Sequence, residues 1–382
     1  MKKLLTVLAA ILLAVLPAAA AGEGPGIDEN SLDLAGSSIR FPVITGMEDE
    51  GVQAALNARI REDLRVDAYL ERIAGLISDG ERNMTVTWSG MLAGEVFSAL
   101  LDAETRVKDL LGSHAWTWSN LDLRDGHEIT LGELFTEEAA AREGLEALLE
   151  EVSYDLSPHL QNSEVTPLPE GFRLERTGLT LLYDAKQLST LRDRAGAVKI
   201  GWNEIREYTD WSEDGIPARI GAAEMVNWTE DSPEHLRQMT ESGMLPDIPV
   251  KIGDSVKEWT DRAHLLYDPE EYALGRMFEL EGAAFRNVYV LSDAVDSGWD
   301  SSRVQGIRMD RGCAWGLCVG ETAADTWRQA MGEPDRTAVL DEEKADSFRT
   351  VPGMCDYYGF GNYTLQLWTD TDGILVSIVI SE

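Results

Sequence analysis

The stretch YTLQLWTDTDGILVSIVI, residues 363–380, decides the fold of the C-terminal half of this chain. It predicts two strands, Tyr363 to Trp368 and Ile374 to Ile380, joined by a turn rich in Asp, Thr and Gly. Along the first strand, one face carries tyrosine and leucine, and the other carries threonine, glutamine and Trp368. Such a hairpin indicates an antiparallel sheet whose leucine face is turned to the core.

The segment before this hairpin repeats features that occur earlier in the chain. IGDS at 252–255 precedes a predicted helix that carries Trp259, and VGET at 319–322 precedes a predicted helix that carries Trp327. Turn-broken strands follow each helix, and the matching offsets favour an internal repeat over two unrelated α+β stretches. The predicted repeats are helix-plus-β-meander units that span residues 249–310 and 311–382.

The N-terminal half, residues 38–208, predicts an α+β domain in which helices back a mostly antiparallel sheet. The first helix presents apolar residues four positions apart on one face. These residues are Val52, Leu56, Ile60 and Leu64. Segments rich in Thr, Val, Trp and Phe predict strands at Thr85 to Trp88, Glu95 to Glu104 and His114 to Leu123. The remaining ranges are a loose leader at 22–37 and an acidic connector with one short helix at 209–248.

The N-terminus predicts a secretory signal peptide at residues 1–21. Lys2 and Lys3 precede an uncharged apolar run, Leu4 to Leu16, which is too short to span a membrane comfortably. Pro17 and four alanines then complete the pattern of a cleaved signal. The alternative is an uncleaved N-terminal anchor. We expect a protein that is secreted or held in the cell envelope, without a membrane span in the mature chain.

The composition excludes several classes of function. The 382 residues include 33 Lys and Arg against 68 Asp and Glu, which gives a formal net charge of −35. A nucleic-acid binder needs a basic face, and an anionic lipid surface would repel this chain. A strongly negative field instead favours solubility and attracts basic partners. We therefore expect a basic partner and no nucleic acid.

Three cysteines, Cys313, Cys318 and Cys355, lie late in the chain. Outside the cell one disulfide is chemically permitted, and one thiol must be left over. A bridge from Cys313 or Cys318 to Cys355 would tie the start of the last repeat to its sheet. It would contribute about 3–4 kcal/mol in the chain-entropy model. Three cysteines with no nearby histidine are a poor zinc set, so we expect no metal ion.

Candidate binding residues are aromatic rather than catalytic. The five histidines show no metal-ligand spacing, and no Gly-x-Ser-x-Gly motif is present. Only His114 lies in an aromatic setting, next to Trp116 and Trp118, and it is either a functional residue or a packed strand histidine. The candidate partner-binding residues are Trp116, Trp118, Tyr357, Tyr358 and Trp368, because exposed aromatics on a sheet are typical binding anchors. We expect no catalytic residue and no cofactor.

Several segments of residues 38–208 carry a recognisable pattern. They are FPVI at 41–44, VQAALN at 52–57, GSHA at 112–115, NLDL at 120–123, ITLGELF at 129–135 and GLTLLY at 178–183. Together they resemble the extracytoplasmic domain of sigma-V anti-sigma factors, which also precedes the catalytic domain of some secreted peptidoglycan deacetylases. In the anti-sigma relatives this domain binds lysozyme, a basic muramidase, so the resemblance implies a binding module. The histidine of GSHA is displaced by one position, and no lysozyme-contacting residue is carried over.

The two C-terminal units resemble the β-lactamase-inhibitor-like fold, an architecture that also occurs in small bacterial envelope proteins. The resemblance rests on the IGDS and VGET helix starts, on GEP at 332–334 and on the strand pattern. It implies tandem α+β repeats that offer a second protein-binding surface.

These observations predict a secreted, non-enzymatic binding or sensing protein of the bacterial cell envelope. Its expected partner is a basic protein such as lysozyme, or a cell-wall component. The alternatives are a secreted hydrolase that acts on peptidoglycan or another polysaccharide, and a structural envelope module. A hydrolase would need carboxylates that converge on His114 in a cleft.

Overall fold

The structure is a computed structural model whose chain divides into two compact units. Unit 1 comprises Met1–Thr130 with Asp184–Ala195, and unit 2 comprises Leu131–Tyr183 with Gly196–Glu382. The described residues are 24–76, 82–107, 110–155, 168–183, 196–261, 270–272, 275–280, 285, 287–293 and 301–382. The predicted signal peptide, residues 1–21, lies outside these ranges and stays a prediction. Mixed helices and antiparallel sheets confirm the predicted α+β class.

Unit 1 is a five-stranded sheet with two helices packed against it. Its elements are β1 (Gly26–Leu34), β2 (Ser37–Thr45), α1 (Glu50–Asp63), α2 (Val66–Leu76), β3 (Arg82–Ala93), β4 (Val96–Val107) and β5 (Leu110–Asp122). The strands lie in sequence order; β2 and β3 pair in parallel across the two helices, and the other pairs are antiparallel. Strand β1 occupies most of the predicted loose leader, so that prediction is wrong.

Helix α1 begins at Glu50, two residues before the first apolar position of the predicted face, and Asp49 caps it. The Asp49 carboxylate accepts hydrogen bonds from the backbone N–H groups of Gly51 and Val52, at 2.7 and 3.0 Å. Leu56 and Ile60 are buried against the sheet, as the four-residue spacing predicts. Val52, in the first turn of the helix, is 44% exposed and does not join that buried face.

Unit 2 begins with a short 3₁₀ turn, a helix and a small antiparallel sheet. The elements are the turn Leu131–Leu134, α3 (Glu138–Asp155), β6 (Gly171–Leu174), β7 (Gly178–Tyr183) and β8 (Gly196–Gly201). Every described side chain of β7 is buried, which explains why its sequence, GLTLLY, is almost continuously apolar.

The predicted connector, 209–248, is more helical than its composition suggests. It contains α4 (Ile216–Arg219), α5 (Ala222–Val226) and α6 (Ser232–Ser242), where the sequence predicts one short helix. Ile220, Met225 and Leu236 are fully buried in it. The prediction is wrong because a few well-spaced apolar residues suffice to anchor short helices, whereas the abundant acidic residues dominate the composition.

The rest of unit 2 is built around one eight-stranded antiparallel sheet. Its elements are α7 (Val256–Asp261), β9 (Glu270–Tyr272), β10 (Gly275–Glu279), β11 (Val288–Ser292), β12 (Val304–Met309), β13 (Cys313–Ala314), β14 (Leu317–Cys318), α8 (Ala324–Met331), β15 (Arg336–Leu340), α9 (Glu342–Ser347), β16 (Gly353–Phe360), β17 (Tyr363–Asp370) and β18 (Leu375–Ser381). The sheet order is β15-β16-β17-β18-β12-β11-β10-β9, and β13 pairs with β14 in a separate hairpin. The first predicted repeat therefore supplies one four-stranded half of the large sheet, the second supplies the other half, and the two halves meet at β12 and β18.

Equivalent turns lead into the two repeated units. The N–H of Gly253 donates to the carbonyl of Val304 at 2.8 Å, and the N–H of Gly320 donates to the carbonyl of Leu375 at the same distance. Both glycines have positive φ, +93° and +82°, which glycine adopts without steric cost. Trp327 is fully buried under the sheet. The repeated strand-rich organisation of the C-terminal half thus extends to individual hydrogen bonds.

The strands that end the two repeats do not lie where the sequence pattern predicts. We expect Arg303 to Met309 and Ile374 to Ile380 at or near the sheet edges. The structure pairs β12 directly with β18 at the centre of the sheet. Joining the two strands removes two free edges and buries most of both, which suits the largely apolar sequence of β18, LVSIVIS.

Trp368 is buried on the second face of the large sheet, with 1% of its surface exposed. The Phe348 ring packs on it edge-to-face at 5.6 Å, and the Arg308 guanidinium lies 4.8 Å from its ring centre. Arg308 is itself buried and makes an ion pair with Asp310 at 2.5 Å. Period-two alternation correctly assigns the leucines to the core, but it does not reveal that the segment after α9 covers the opposite face.

The disulfide joins Cys313 to Cys318 across the β13–β14 hairpin. Cys355 is a free, buried thiol on β16. The predicted bridge to Cys355 is therefore wrong, because Cys313 and Cys318 lie directly opposite each other on two paired short strands.

Candidate functional site

His114, Trp116 and Trp118 lie together on one face of β5. Strand alternation separates them from Thr117, whose hydroxyl donates to the carbonyl of Leu64 at the end of α1, at 2.8 Å. The three aromatic side chains therefore face away from α1. The sequence predicts this grouping correctly, because residues two apart in a strand share a face.

Two carboxylates of the neighbouring strand share that face. Asp102 of β4 lies opposite Trp116, and Glu104 lies opposite His114. We call Asp102, Glu104, His114, Trp116 and Trp118 the Trp116 face. The face therefore combines negative charge with the flat apolar surfaces of two indole rings.

The centre of the Trp116 face is one ring nitrogen with two polar neighbours. His114 Nε2 lies 2.7 Å from Asp102 Oδ1 and 3.0 Å from Trp116 Nε1. The imidazole and indole rings meet edge-to-face, with centres 5.4 Å apart at 84°. The His114 side chain is 10% exposed, whereas Asp102 keeps 35% of its side-chain surface open.

The two contacts compete for the same nitrogen. An indole N–H can only donate, and an ionised carboxylate can only accept. Nε2 must carry a proton to bond Asp102, and it must carry a lone pair to accept from Trp116. When it bonds Asp102, the indole N–H of Trp116 is left to donate to a bound partner. His114 Nδ1 is buried and has no hydrogen-bond partner among the described residues.

Exposed hydroxyls border this constellation on β3. Thr87 lies opposite Asp102, and Thr85 lies opposite Glu104, and both threonines are exposed. Glu104 is neutralised by Arg106 at 3.0 Å. Asp102 is therefore the carboxylate that this face offers to an incoming cation, flanked by hydroxyl and indole donors.

A second surface, in unit 2, is built around Trp315. The Arg176 guanidinium lies 4.7 Å from the centre of the Trp315 ring, and the His235 ring stacks on it at 4.2 Å. Arg176 also makes an ion pair with Glu224 at 3.2 Å. A cavity of about 300 Å³ adjoins Trp315 and is lined partly by Met244. Sequence reasoning does not single out this tryptophan.

The disulfide-closed hairpin holds Trp315 in place. Trp315 has a φ of +52°, and Gly316 follows at +85°. A Cβ on Gly316 would lie 2.5 Å from the Cα of Trp228, so only glycine allows this close approach. The signal in the sequence is the spacing CAWGLC, residues 313–318, in which a tryptophan and a glycine lie between two cysteines.

The other predicted aromatic candidates are less accessible. Tyr358 is 5% exposed, and its hydroxyl donates to the carbonyl of Gly332 at 3.1 Å. Tyr357 is half-buried beneath the guanidinium of Arg336, which lies 3.8 Å from its ring centre. Trp368 is buried, as described above. The structure brings Trp116 and Trp118 onto one face of unit 1, and Tyr357, Tyr358 and Trp368 lie in unit 2.

Within the described parts of the chain, no group of three or more His, Cys, Asp or Glu side chains is arranged to hold a metal ion. In the same residues, no helix is both long enough and apolar enough to cross a membrane.

Comparisons with known proteins give structural likenesses at low identity. No family model matches the chain, and no curated protein matches it. One similar solved structure is that of a DUF3298 family member from Bacteroides fragilis, with 14% sequence identity and a TM-score of 0.39. The matched region covers 51% of this chain and 97% of the Bacteroides chain. A DUF3298 family protein from Pseudomonas aeruginosa has 14% identity over 49% of this chain and 94% of its own, with a TM-score of 0.33.

A third similar structure is a DUF4309 family protein from Bacillus subtilis. It has 11% identity, covers 40% of this chain and 97% of its own, and gives a TM-score of 0.25. At these scores neither fold nor activity is transferred to this chain.

Proposed function

We propose that this protein is a secreted, non-enzymatic binding protein of the bacterial cell envelope and that its Trp116 face recognises a basic protein such as lysozyme. The position of Asp102 carries the proposal. Its side chain is 35% exposed and lies between Trp116 on β5 and the exposed Thr87 on β3. An arginine or lysine of a partner would pair with Asp102 and stack on the indole.

The charge of the whole chain supports the same partner. A formal net charge of −35 raises the local concentration of a cationic protein and speeds its approach. The disulfide between Cys313 and Cys318 suits an oxidising compartment, as the predicted signal peptide requires. The resemblance of residues 38–208 to a lysozyme-binding domain points to the same class of partner.

The binding chemistry follows from the competition at His114. Asp102 has two carboxylate oxygens, so Oδ1 can keep the hydrogen bond from a protonated Nε2 while Oδ2 pairs with a cationic partner. With Nε2 engaged by Asp102, the indole N–H of Trp116 donates to an acceptor of the partner.

The test is a pull-down of the mature chain with hen lysozyme and, separately, with purified peptidoglycan at low salt. We expect lysozyme to be retained and Asp102→Asn to weaken its retention. Asp33→Asn is the matched control, because it removes one exposed carboxylate from the same unit outside the Trp116 face. Binding to peptidoglycan but not to lysozyme would overturn the basic-protein partner and identify a cell-wall component as the partner instead. Binding to neither would overturn the proposal.

The Asp102–His114 pair favours one alternative, a hydrolase of peptidoglycan. A carboxylate that bonds an imidazole at 2.7 Å can orient it as a general base. Release of soluble fragments from peptidoglycan, abolished by His114→Ala, would establish that activity and contradict a non-enzymatic role. No release, together with retention of lysozyme, supports the binding protein.

A further inference from the structure

Exposed apolar side chains gather at one edge of the large sheet of unit 2. Val339, Val351 and Met354 are 59%, 46% and 36% exposed. They make up three of the four exposed large apolar residues among the described residues, and the fourth, Val52, lies in unit 1. Single exposed apolar residues need no explanation, but a cluster beside one strand indicates an interaction surface.

Strand β15 presents unpaired backbone groups at this edge. It pairs with β16 on one side, and no described strand pairs with its other side. The Val339 carbonyl accepts a hydrogen bond from Lys344 Nζ at 3.3 Å, so it points away from β16. In an antiparallel strand the N–H and C=O of one residue point to the same side, so the N–H of Val339 also points outward. Such an edge is a template for a further strand.

A cavity of about 370 Å³ lies beside the same strand. Val339, Leu340, Pro352 and Met354 form part of its apolar lining, and Asp370 lies at its polar side. Pockets next to a free edge receive alternate side chains of an added strand, and they supply the sequence preference that backbone bonds lack. Arg328 also lines the cavity, and its guanidinium is paired with the buried Asp356 at 2.7 Å. The lining therefore favours an apolar side chain.

The charges around β15 decide which strand it would accept. Acidic side chains flank it on both sides in the sequence, and two basic ones accompany them. The acidic residues are Glu333, Asp335, Asp341, Glu342, Glu343 and Asp346, and the basic ones are Arg336 and Lys344. A second copy of this chain would bring the same acidic set against itself, whereas a basic segment complements it.

We propose that β15 is a docking edge, which captures an extended segment of a partner protein with alternating apolar and basic side chains. The segment adds an antiparallel strand through the backbone of Val339. Its apolar side chains enter the cavity beside Leu340 and Met354, and its basic side chains pair with the flanking acids. This edge lies in unit 2 and acts independently of the Trp116 face.

Lys344 occupies the outward-facing carbonyl of Val339 in the free protein. Its ammonium caps the Val339 carbonyl and also lies 3.4 Å from Asp341. Lysines on edge strands discourage unwanted pairing. An incoming strand must displace this ammonium to reach the carbonyl. Displacement costs free energy, so only a segment with additional favourable contacts binds tightly.

The test measures fluorescence anisotropy of a dye-labelled peptide of alternating lysine and valine, blocked at both ends, against the full mature chain. A peptide of alternating glutamate and valine is the charge control. A third peptide, methylated on the backbone nitrogens of one edge, lacks the donors that an added strand needs. We expect only the first peptide to bind. Equal binding of the glutamate or methylated peptide would overturn the proposal.

Two variants of the chain should shift the affinity in opposite directions. Val339→Lys places a charge on the docking edge and should weaken binding about tenfold, whereas Lys344→Ala frees the carbonyl and should strengthen it several-fold. Val52→Lys, the same change at an exposed valine of unit 1, is the matched control and should have no effect. Because a folding defect would not strengthen binding, Lys344→Ala separates docking from stability. Unchanged affinity in both variants would contradict the proposal.

A second copy of this chain is the competing occupant of the β15 edge. Light scattering, which reports the molar mass in solution, distinguishes a dimer from a monomer. If the chain forms a dimer that Val339→Lys abolishes, a second copy occupies the edge and the proposed basic peptide does not. A monomer at all accessible concentrations supports the peptide.

Discussion

At the scale of single residues, the buried Cys355 shows how burial controls chemistry. Burial raises the pKa of its thiol to about 12, so the reactive thiolate is scarce at neutral pH. We expect no reaction of the folded chain with a thiol reagent and one thiol per chain after unfolding without reductant. Ellman's reagent with and without denaturant measures this. Rapid labelling of the native protein would contradict the buried position on β16.

Glu175 is a buried carboxylate whose charge depends on two neighbours. Burial alone would raise its pKa, but ion pairs with Lys199, at 2.5 Å, and with Arg173 outweigh it and lower the pKa to about 2. A carboxylate with a lowered folded pKa contributes stability above its unfolded value. That contribution is lost as the pH falls from about 4.5 towards about 2.

Replacing Glu175 by glutamine should therefore destabilise unit 2. Because the change removes the buried carboxylate that both Lys199 and Arg173 contact, we expect a loss of about 3 kcal/mol in the free energy of unfolding at pH 7. The loss should shrink between pH 4.5 and pH 2. Urea unfolding across that range tests the prediction. Glu224→Gln, which removes a half-exposed partner of Arg176, is the control and should cost less than about 1 kcal/mol.

Residue patterns predict the Trp116 face better than the rest of the candidate sites. His114, Trp116 and Trp118 share a face because alternation is a local property of one strand. The Asp102 partner is not predictable, since it depends on the register between β4 and β5. The burial of Trp368 is likewise set by Phe348 from a distant segment.

At the scale of elements, the β13–β14 hairpin depends on its disulfide. The bridge closes a five-residue separation and holds two-residue strands together. In the chain-entropy model, a loop of this length is worth about 2 kcal/mol. We expect Cys313→Ala with Cys318→Ala to lower the melting temperature and to make Trp315 more accessible to acrylamide.

Tryptophan quenching and thermal unfolding in the same samples measure both effects. Cys355→Ala is the control, because it changes a cysteine outside the hairpin and should leave quenching of Trp315 unchanged. Identical quenching with and without the bridge would contradict the role given to the hairpin.

The sequence predicts individual helices and strands more reliably than it predicts which strands pair with each other. The alternation in β17 and the turn before β18 are correctly predicted, because both are local patterns. The pairing of β12 with β18 is not predicted, since nothing in either strand specifies a partner some 70 residues away. The sequence predicts only one of the three helices in 209–248, because abundant acidic residues hide the few apolar positions that anchor the helices.

At the scale of the whole molecule, the net charge of −35 makes partner binding sensitive to salt. Ions screen exposed charges over about 10 Å at 0.1 M and about 3 Å at 1 M. We expect affinity for lysozyme to fall at least tenfold between about 0.05 and 0.5 M salt, mainly through slower association. Surface plasmon resonance at several salt concentrations checks this. Salt-independent affinity would argue against a cationic partner.

We propose Asp102 and Trp116 as the recognition surface for a basic protein. Isothermal titration of lysozyme into the mature chain, compared with Asp102→Asn, Trp116→Ala and Asp33→Asn, tests this proposal. We expect each of the first two variants to weaken binding by about 2 kcal/mol, as for a buried interface anchor, while Asp33→Asn changes little. Equal affinity for all four proteins, or no binding by any of them, would contradict it.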